Sequence, residues 1–184
     1  MAAKINNTPE KAREQREERD ICAHLSEMNQ AIQGVHQLPS PHIVNIFDSL
    51  EEGDIVYNIY EIASGGHLSD ELAKKEFFTP DEAADAIRQI LTGVNHMHER
   101  GYIHCDLKPQ NILIQSKNVK IYKVADFGLS VARQVDPFTQ EYRRHALGIC
   151  GTLLYRPPEA TSPHSTSYDI DFDIWRFASI QMIN

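Results

Sequence analysis

The stretch from His104 to Gly128 constrains this chain more than any other. HCDLKPQNIL places Asp106, Lys108 and Asn111 on one tight turn, and VADFG places Asp126 a short distance beyond. Between them, Ile112-Leu113-Ile114 and Val119 to Val124 predict two short strands, joined by the polar Gln115-Ser116-Lys117-Asn118. Such a hairpin brings its two ends together, so Asp106, Asn111 and Asp126 can converge between apolar strands. A carboxylate and an amide oxygen suit a hard cation such as Mg²⁺, which takes its remaining ligands from water and phosphate oxygens. Asp106 is then left to act as a base. A turn rich in Asp and Asn that merely ends a strand is common, but it does not account for two such turns at this spacing.

Composition narrows the classes. With 18 basic against 26 acidic residues the formal charge is −8, which disfavours a nucleic-acid backbone as partner. No apolar run approaches the roughly 18 residues that a membrane span needs, and Met1-Ala2-Ala3-Lys4 lacks the apolar core of a signal peptide. The expectation is a protein of cytosol or nucleus, with no membrane and no nucleic acid among its partners. Cys22, Cys105 and Cys150 are far apart and odd in number, so neither a disulfide framework nor a zinc site is expected. Nothing in the pattern fixes an oligomeric state.

Along the chain, a strand end over Met1 to Ile5 leads through Asn6-Asn7-Thr8-Pro9 into a helix, with Pro at its first position. Ile21, Leu25, Met28 and Ile32 recur at helical spacing, and Glu18 shares that face, where a carboxylate needs a cation. Gln33 to Pro41 reads as a loop. His42 to Phe47 and Ile55 to Ile62 read as a hairpin around Glu51-Glu52-Gly53-Asp54, followed by the connector Ala63-Ser64-Gly65-Gly66-His67. Leu68 to Lys75 predicts a short helix. Thr79-Pro80-Asp81-Glu82 predicts a capping box that opens a long one, with Ala86, Ile87, Ile90, Leu91, Val94 and Met97 on its inner face and Gly101 at its end. His96 and His98, two apart on a helix, point away from each other and do not suggest a metal site. Leu129 to Gly151 is a long polar segment, and Tyr168 to Ile183 reads as a turn and a helix.

The stretch from His104 to Gly128 resembles the protein-kinase signature H-R-D-L-x-x-x-N followed by D-F-G. His104, Asp106, Leu107, Lys108, Asn111, Asp126, Phe127 and Gly128 match it. Further along, Gly151-Thr152-Leu153-Leu154-Tyr155-Arg156-Pro157-Pro158-Glu159 is similar to the family's G-T-x-x-Y-x-[A/S]-P-E, and Asp173-Ile174-Trp175 to its D-x-W. The resemblance implies an α+β, two-lobed protein-kinase-like fold: residues 1–62 would form a partial N-terminal β-rich lobe, and residues 63–184 the hinge and a partial helical C-terminal lobe. It implies ATP and Mg²⁺ as cofactors and a protein substrate with a Ser/Thr hydroxyl. Asp106 would be the base, Lys108 would offset charge on the γ-phosphate, Thr152 would face both, and Asn111 with Asp126 would hold the metal. Ala2-Ala3-Lys4 resembles the end of the kinase lysine strand, so Lys4 would touch the α/β-phosphates while paired with Glu18, or with Glu27, which lies nearer the next strand. Tyr60 would be the gatekeeper. Glu61 and Ala63 would offer backbone groups to adenine, and Leu113 would line the nucleotide site. Ile46, His104 and Phe127, with Cys22 as a fourth member, match the family's stacked hydrophobic spine.

Three departures stand beside these matches. Cys105 occupies the place of the arginine that binds an activation-loop phosphate in many members. His67 stands where many members place an acid on the ribose, and no G-x-G-x-x-G precedes Lys4. The expectation is a serine/threonine kinase domain truncated at both ends. The alternative is a catalytically impaired fragment or binding module. A small-molecule phosphotransferase, which shares an H-x-D-x-x-x-x-N turn, would lack the P-P-E and D-x-W stretches.

Overall fold

The computed structural model describes residues 2–6, 9–25, 40–53, 55–75, 77–116, 118–135, 138, 142–143, 151–161 and 169–182. Its elements are helices and small antiparallel sheets, an α+β arrangement. Strand β1 (Ala2–Asn6) leads to helix α1 (Pro9–Leu25), and strands β2 (Ile46–Glu52) and β3 (Ile55–Tyr60) follow. These strands form an antiparallel sheet in the order β1-β3-β2, with Lys4 opposite Asn58. The expected strand over His42 to Phe47 is displaced, with β2 beginning only at Ile46 and running on to Glu52. Val44 N–H donates to the carbonyl of Val124 and Val124 N–H to that of His42, so residues 42–44 are tied to a different sheet before β2 begins. β3 likewise stops at Tyr60, two residues before Ile62.

Helix α1 buries Glu18 and Leu25 of the expected face and adds residues that the apolar spacing does not include. Ala12, Gln15, Glu18, Cys22 and Leu25 are buried, whereas Ile21 is only half-buried. Met28 and Ile32 lie outside the described residues, as do Glu27 and most of the loop 33–41. Glu18 lies inward as its spacing from the apolar residues predicts, whereas hydrophobic spacing alone gives no reason for Gln15 to be buried.

Strand β4 (Gly66–His67) and helix α2 (Leu68–Lys74) precede the long helix α3 (Pro80–Glu99). Its start follows the expected capping box. Thr79 Oγ1 accepts from Glu82 N–H at 3.3 Å, and Glu82 returns the contact to Thr79 N–H at 3.0 Å. Ile90, Val94 and Met97 enter the core, and Gly101, at φ +77°, ends the last turn. Gly93 faces the segment that precedes β2, where a Cβ would lie 2.5 Å from the carbonyl oxygen of His42, so only glycine lets that segment sit against α3.

Beyond α3 come β5 (Tyr102–Ile103), β6 (Ile112–Ile114), β7 (Tyr122–Val124), β8 (Val131–Ala132), β9 (Gln134–Val135), β10 (Tyr142–Arg143) and helix α4 (Asp171–Met182). β6 and β7 form the expected hairpin and continue to β4, while β5 pairs with β8 and β9 with β10. β7 is shorter than the run from Val119, because Val119 is 64% exposed and the pairing with β6 covers Tyr122 to Val124. Gln89 of α3 latches this hairpin, accepting from Tyr122 N–H and donating to the carbonyl of Lys120. Among the described residues no helix is long and apolar enough to cross a membrane.

The capping box carries a pH signature. The Lys75 ammonium, at 2.5 Å, and then the Thr79 N–H and hydroxyl hold the Glu82 carboxyl down at about 2, below its ordinary 4.5. A depressed folded-state pKa contributes stability that is present above the unfolded value and lost as pH falls through the folded one. Thermal unfolding against pH should therefore show Glu82→Gln melting below the original chain at neutral pH. That gap should narrow as pH falls from 4.5 towards 2.

Candidate active site

The turn between β5 and β6 is built on one buried carboxylate. Asp173, in the first turn of α4, is fully buried and accepts from the backbone N–H of His104 at 2.8 Å, from that of Cys105 at 3.0 Å, and from His98 Nε2 at 2.9 Å. The sequence suggests a helix-start acid here, and burial gives it a further task. It satisfies donors on a backbone that turns too sharply to satisfy itself, with Cys105 at φ +65°. His104 Nδ1 accepts from Asp106 N–H at 3.2 Å, so its proton is assigned to Nε2, which donates to the carbonyl of Ala125 at 3.0 Å. The ring packs on Phe127 at 5.6 Å between centroids. Ala125 N–H donates to the carbonyl of Asn111, so the two polar turns are joined directly.

Asp106, Lys108, Asn111 and Thr152 are interlocked on this frame. Lys108 Nζ lies 2.5 Å from Asp106 Oδ2 and 2.9 Å from Thr152 Oγ1. Thr152 donates to Asp106 Oδ1 through its N–H at 2.8 Å and its hydroxyl at 2.9 Å. Asn111 Nδ2 donates to the Asp106 backbone carbonyl, which leaves its amide oxygen for another partner. Burial raises the pKa of Asp106, but the Lys108 ammonium and the Thr152 donors outweigh it, and the carboxyl sits below its ordinary range.

A cleft of about 400 Å³ opens beside this turn, lined among others by Lys4, Tyr60, Ala63, Leu113 and Asp126. Lys4 Nζ bridges Glu18 at 2.7 Å and Asp126 at 2.9 Å. Burial works against the ammonium, and Glu18 with Asp126 more than offsets it, so its pKa is raised. The rival acid Glu27 lies outside the described residues. Asp126 holds its carboxylate here with a left-handed backbone, φ +63°. Cys22 and Ile46 are buried with Phe127 in one apolar cluster. Burial and the nearby Glu18 carboxylate push the Tyr60 hydroxyl well above its ordinary pKa.

Asn111 and Asp126 both face the cleft. An amide oxygen and a carboxylate fit a hard divalent cation. Among the described residues no group of three or more His, Cys, Asp or Glu side chains could hold a metal without further ligands. His96 and His98 diverge, His96 to the carbonyl of Leu25 and His98 to Asp173.

Two ion pairs of this site escape the sequence reading. The Glu61 side chain meets Lys123 Nζ at 2.8 Å and accepts from Asn45 N–H at 2.8 Å, and both partners of the ion pair are nearly buried. Arg176 is fully buried, with Nη1 3.2 Å from Asp106 Oδ1 and Nη2 3.3 Å from the Thr152 carbonyl. A signal for Arg176 was present, because it shares the i, i+3, i+4, i+7 stripe of α4 with Asp173, Phe177 and Ile180, all buried. Lys123 offered none, since an alternating strand gives a lysine no reason to point inward.

The family model for the protein kinase domain matches residues 1–183. The chain belongs to the protein kinase domain family. It is 36% identical over 137 residues to "Calcium/calmodulin-dependent protein kinase type II alpha chain" of Drosophila melanogaster, covering 73% of this chain and 25% of that protein. It is 32% identical over 170 residues to "Death-associated protein kinase 2" of Mus musculus, covering 90% of this chain and 42% of the relative. With "Calcium/calmodulin-dependent protein kinase type 1" of Macrobrachium nipponense the identity is 34% over 154 residues, 83% of this chain and 41% of the relative. The chain thus spans well under half the length of each of these relatives. Its α+β, two-lobed kinase fold is that of the family.

Because the kinase turn hangs on Asp173, Asp173→Asn should be costly. The variant sets an amide NH₂ against a backbone donor and removes the charge that strengthens the other contacts. Chemical denaturation should show a loss of about 2–4 kcal/mol. A conservative change on an ordinary exposed helix start would leave stability within about 0.5 kcal/mol.

Proposed function

We propose that this kinase domain transfers the γ-phosphoryl group of ATP to serine or threonine hydroxyls of protein substrates. The observation that carries this reading is the meeting of Asp106, Lys108, Asn111 and Thr152 at one end of a cleft whose wall also carries the Lys4–Glu18 pair and Asp126. Phosphoryl transfer requires positioning and neutralisation of charge more than covalent help, and these groups supply both. Asp106, kept ionised by its donors, orients a substrate hydroxyl and receives its proton as the new oxygen–phosphorus bond forms and the bond to the β-phosphate oxygen breaks. Lys108 offsets charge on the transferred group, and Lys4, held by Glu18, meets the α/β-phosphates. Asn111 and Asp126 would hold Mg²⁺, which when bound neutralises charge on the phosphate oxygens.

Adenine would lie against Ala63 and Leu113. Glu61 lines the cleft, and its side chain is engaged by Lys123, so its backbone carbonyl would be the group offered to adenine. The nucleotide would then sit between residues 1–62 and residues 63–184 as the two lobes. His67, whose Nδ1 meets the carbonyl of Gln110 at 2.7 Å, lines the same cleft where an acid would meet ribose. Lys108, two residues after the base, supports the serine/threonine assignment over tyrosine. A cytosolic or nuclear site of action is supported by Cys22 and Cys105, neither of which is in a disulfide.

Phosphate incorporation from ATP into a serine/threonine substrate should require Mg²⁺ and fall by about 10²–10⁴-fold in Asp106→Asn. Asp126→Asn should fall at least as far. Incorporation equal to the original in both variants would sink the assignment. Thermal stabilisation by millimolar ATP without any transfer would assign a nucleotide-binding module instead.

A further inference from the structure

Arg176 is a charged residue buried beside the candidate base. Its side chain is fully buried on α4 between the kinase turn and the segment that begins at Gly151, with the guanidinium 5.1 Å from the Phe172 ring centre. Sinking a guanidinium into a core carries a desolvation cost of several kcal/mol unless acceptors meet it, and an apolar side chain of similar volume would avoid that cost. Among the described residues its acceptors include Asp106 Oδ1 at 3.2 Å and the carbonyl of Thr152 at 3.3 Å. The planar fork suits two acceptors at once, which a lysine ammonium on a flexible stem does less well.

A second observation points the same way. Gly151 has φ +74°, and a Cβ there would lie 1.9 Å from Arg176 Nη2 and 2.4 Å from the carbonyl oxygen of Cys105. The backbone of the segment is therefore laid directly on the guanidinium, in a space that only glycine leaves. Thr152, the next residue, is the one whose N–H and hydroxyl reach Asp106. Arg156 adds a further contact, donating to the carbonyl of Gly151 at 2.9 Å.

We propose that Arg176 is a positioning residue, a buried clamp that holds the Asp106 carboxylate and the Gly151-Thr152 backbone in one geometry and so keeps the segment docked on the candidate base. Its kinetic consequence rests on the phosphoryl-transfer reading above, and its structural consequence does not. A cation that holds this segment is thereby supplied from α4, beside the Lys108 and Arg156 contacts.

The test uses Arg176→Met, which removes both contacts, and Arg176→Lys, which keeps the charge but meets one acceptor less well. Residue-resolved hydrogen exchange reads the Thr152 amide, the donor to Asp106 Oδ1, whether or not phosphate is transferred. In Arg176→Met that amide should exchange at least about tenfold faster, while the Ile112 and Ile114 amides keep their protection. In the phosphate-incorporation assay kcat should fall at least about tenfold with KM for ATP within about twofold, and Arg176→Lys should lie between. If Arg176→Met does not fold, Arg176→Lys alone should show faster Thr152 exchange and a lower kcat. Thr152 exchange unchanged in a folded variant overturns the proposal, as does exchange that rises equally at Ile112 and Ile114. Failure of the function reading shows separately, as an original chain that transfers no phosphate, and Thr152 exchange then decides the clamp.

Discussion

The carboxylate of Asp173 is the contact on which the rest of this kinase domain depends. It is buried without exposure and receives two successive backbone donors, from His104 and Cys105, together with a ring nitrogen of His98. Donors on a tight turn cannot pair within the turn, and leaving them buried and unmet would cost about 1–3 kcal/mol each. Asp173 meets them from α4, and His98 brings in α3. One side chain thus fixes the turn between two helices, and everything that turn displays inherits its position.

What the turn displays is a carboxylate surrounded by donors. Among the described residues, Asp106 receives Lys108, Asn111, both donors of Thr152, and Arg176. An ionised carboxylate has room for about four lone-pair contacts, so this one is saturated. Two consequences follow from that crowding. The carboxyl stays ionised despite its burial, and a substrate hydroxyl would reach it only by replacing one of the present donors. Thr152 Oγ1, already between Asp106 and Lys108, occupies a position of the kind such a hydroxyl would take.

The opposite wall of the cleft follows the same logic of buried charge met by charge. Glu18 is 3% exposed and reaches Lys4, which also reaches Asp126 across the cleft. Glu61 and Lys123 form a second nearly buried pair that ties the connector after β3 to β7. The sheet of β1, β2 and β3 is thereby joined to the turn-bearing hairpin through ions as well as through Cys22, Ile46 and Phe127 in the apolar core.

The sequence by itself determined the elements whose causes are local and the motifs whose residue types have one chemistry. The capping box at Thr79, the end of α3 at Gly101 and the hairpin after Asn111 were legible because turn and cap propensities act within a few residues. The family was legible because Asp106, Lys108, Asn111 and Asp126 recur at fixed spacing. Only the tertiary structure decided which charges are buried and what meets them. Gln15 faces inward beside the expected Glu18, His42 to Val44 leave the expected strand for β7, and Arg176 meets Asp106 from α4. The reason is physical: a buried polar group is stable only where a partner distant in sequence supplies its complement, and spacing along one segment carries no record of that partner.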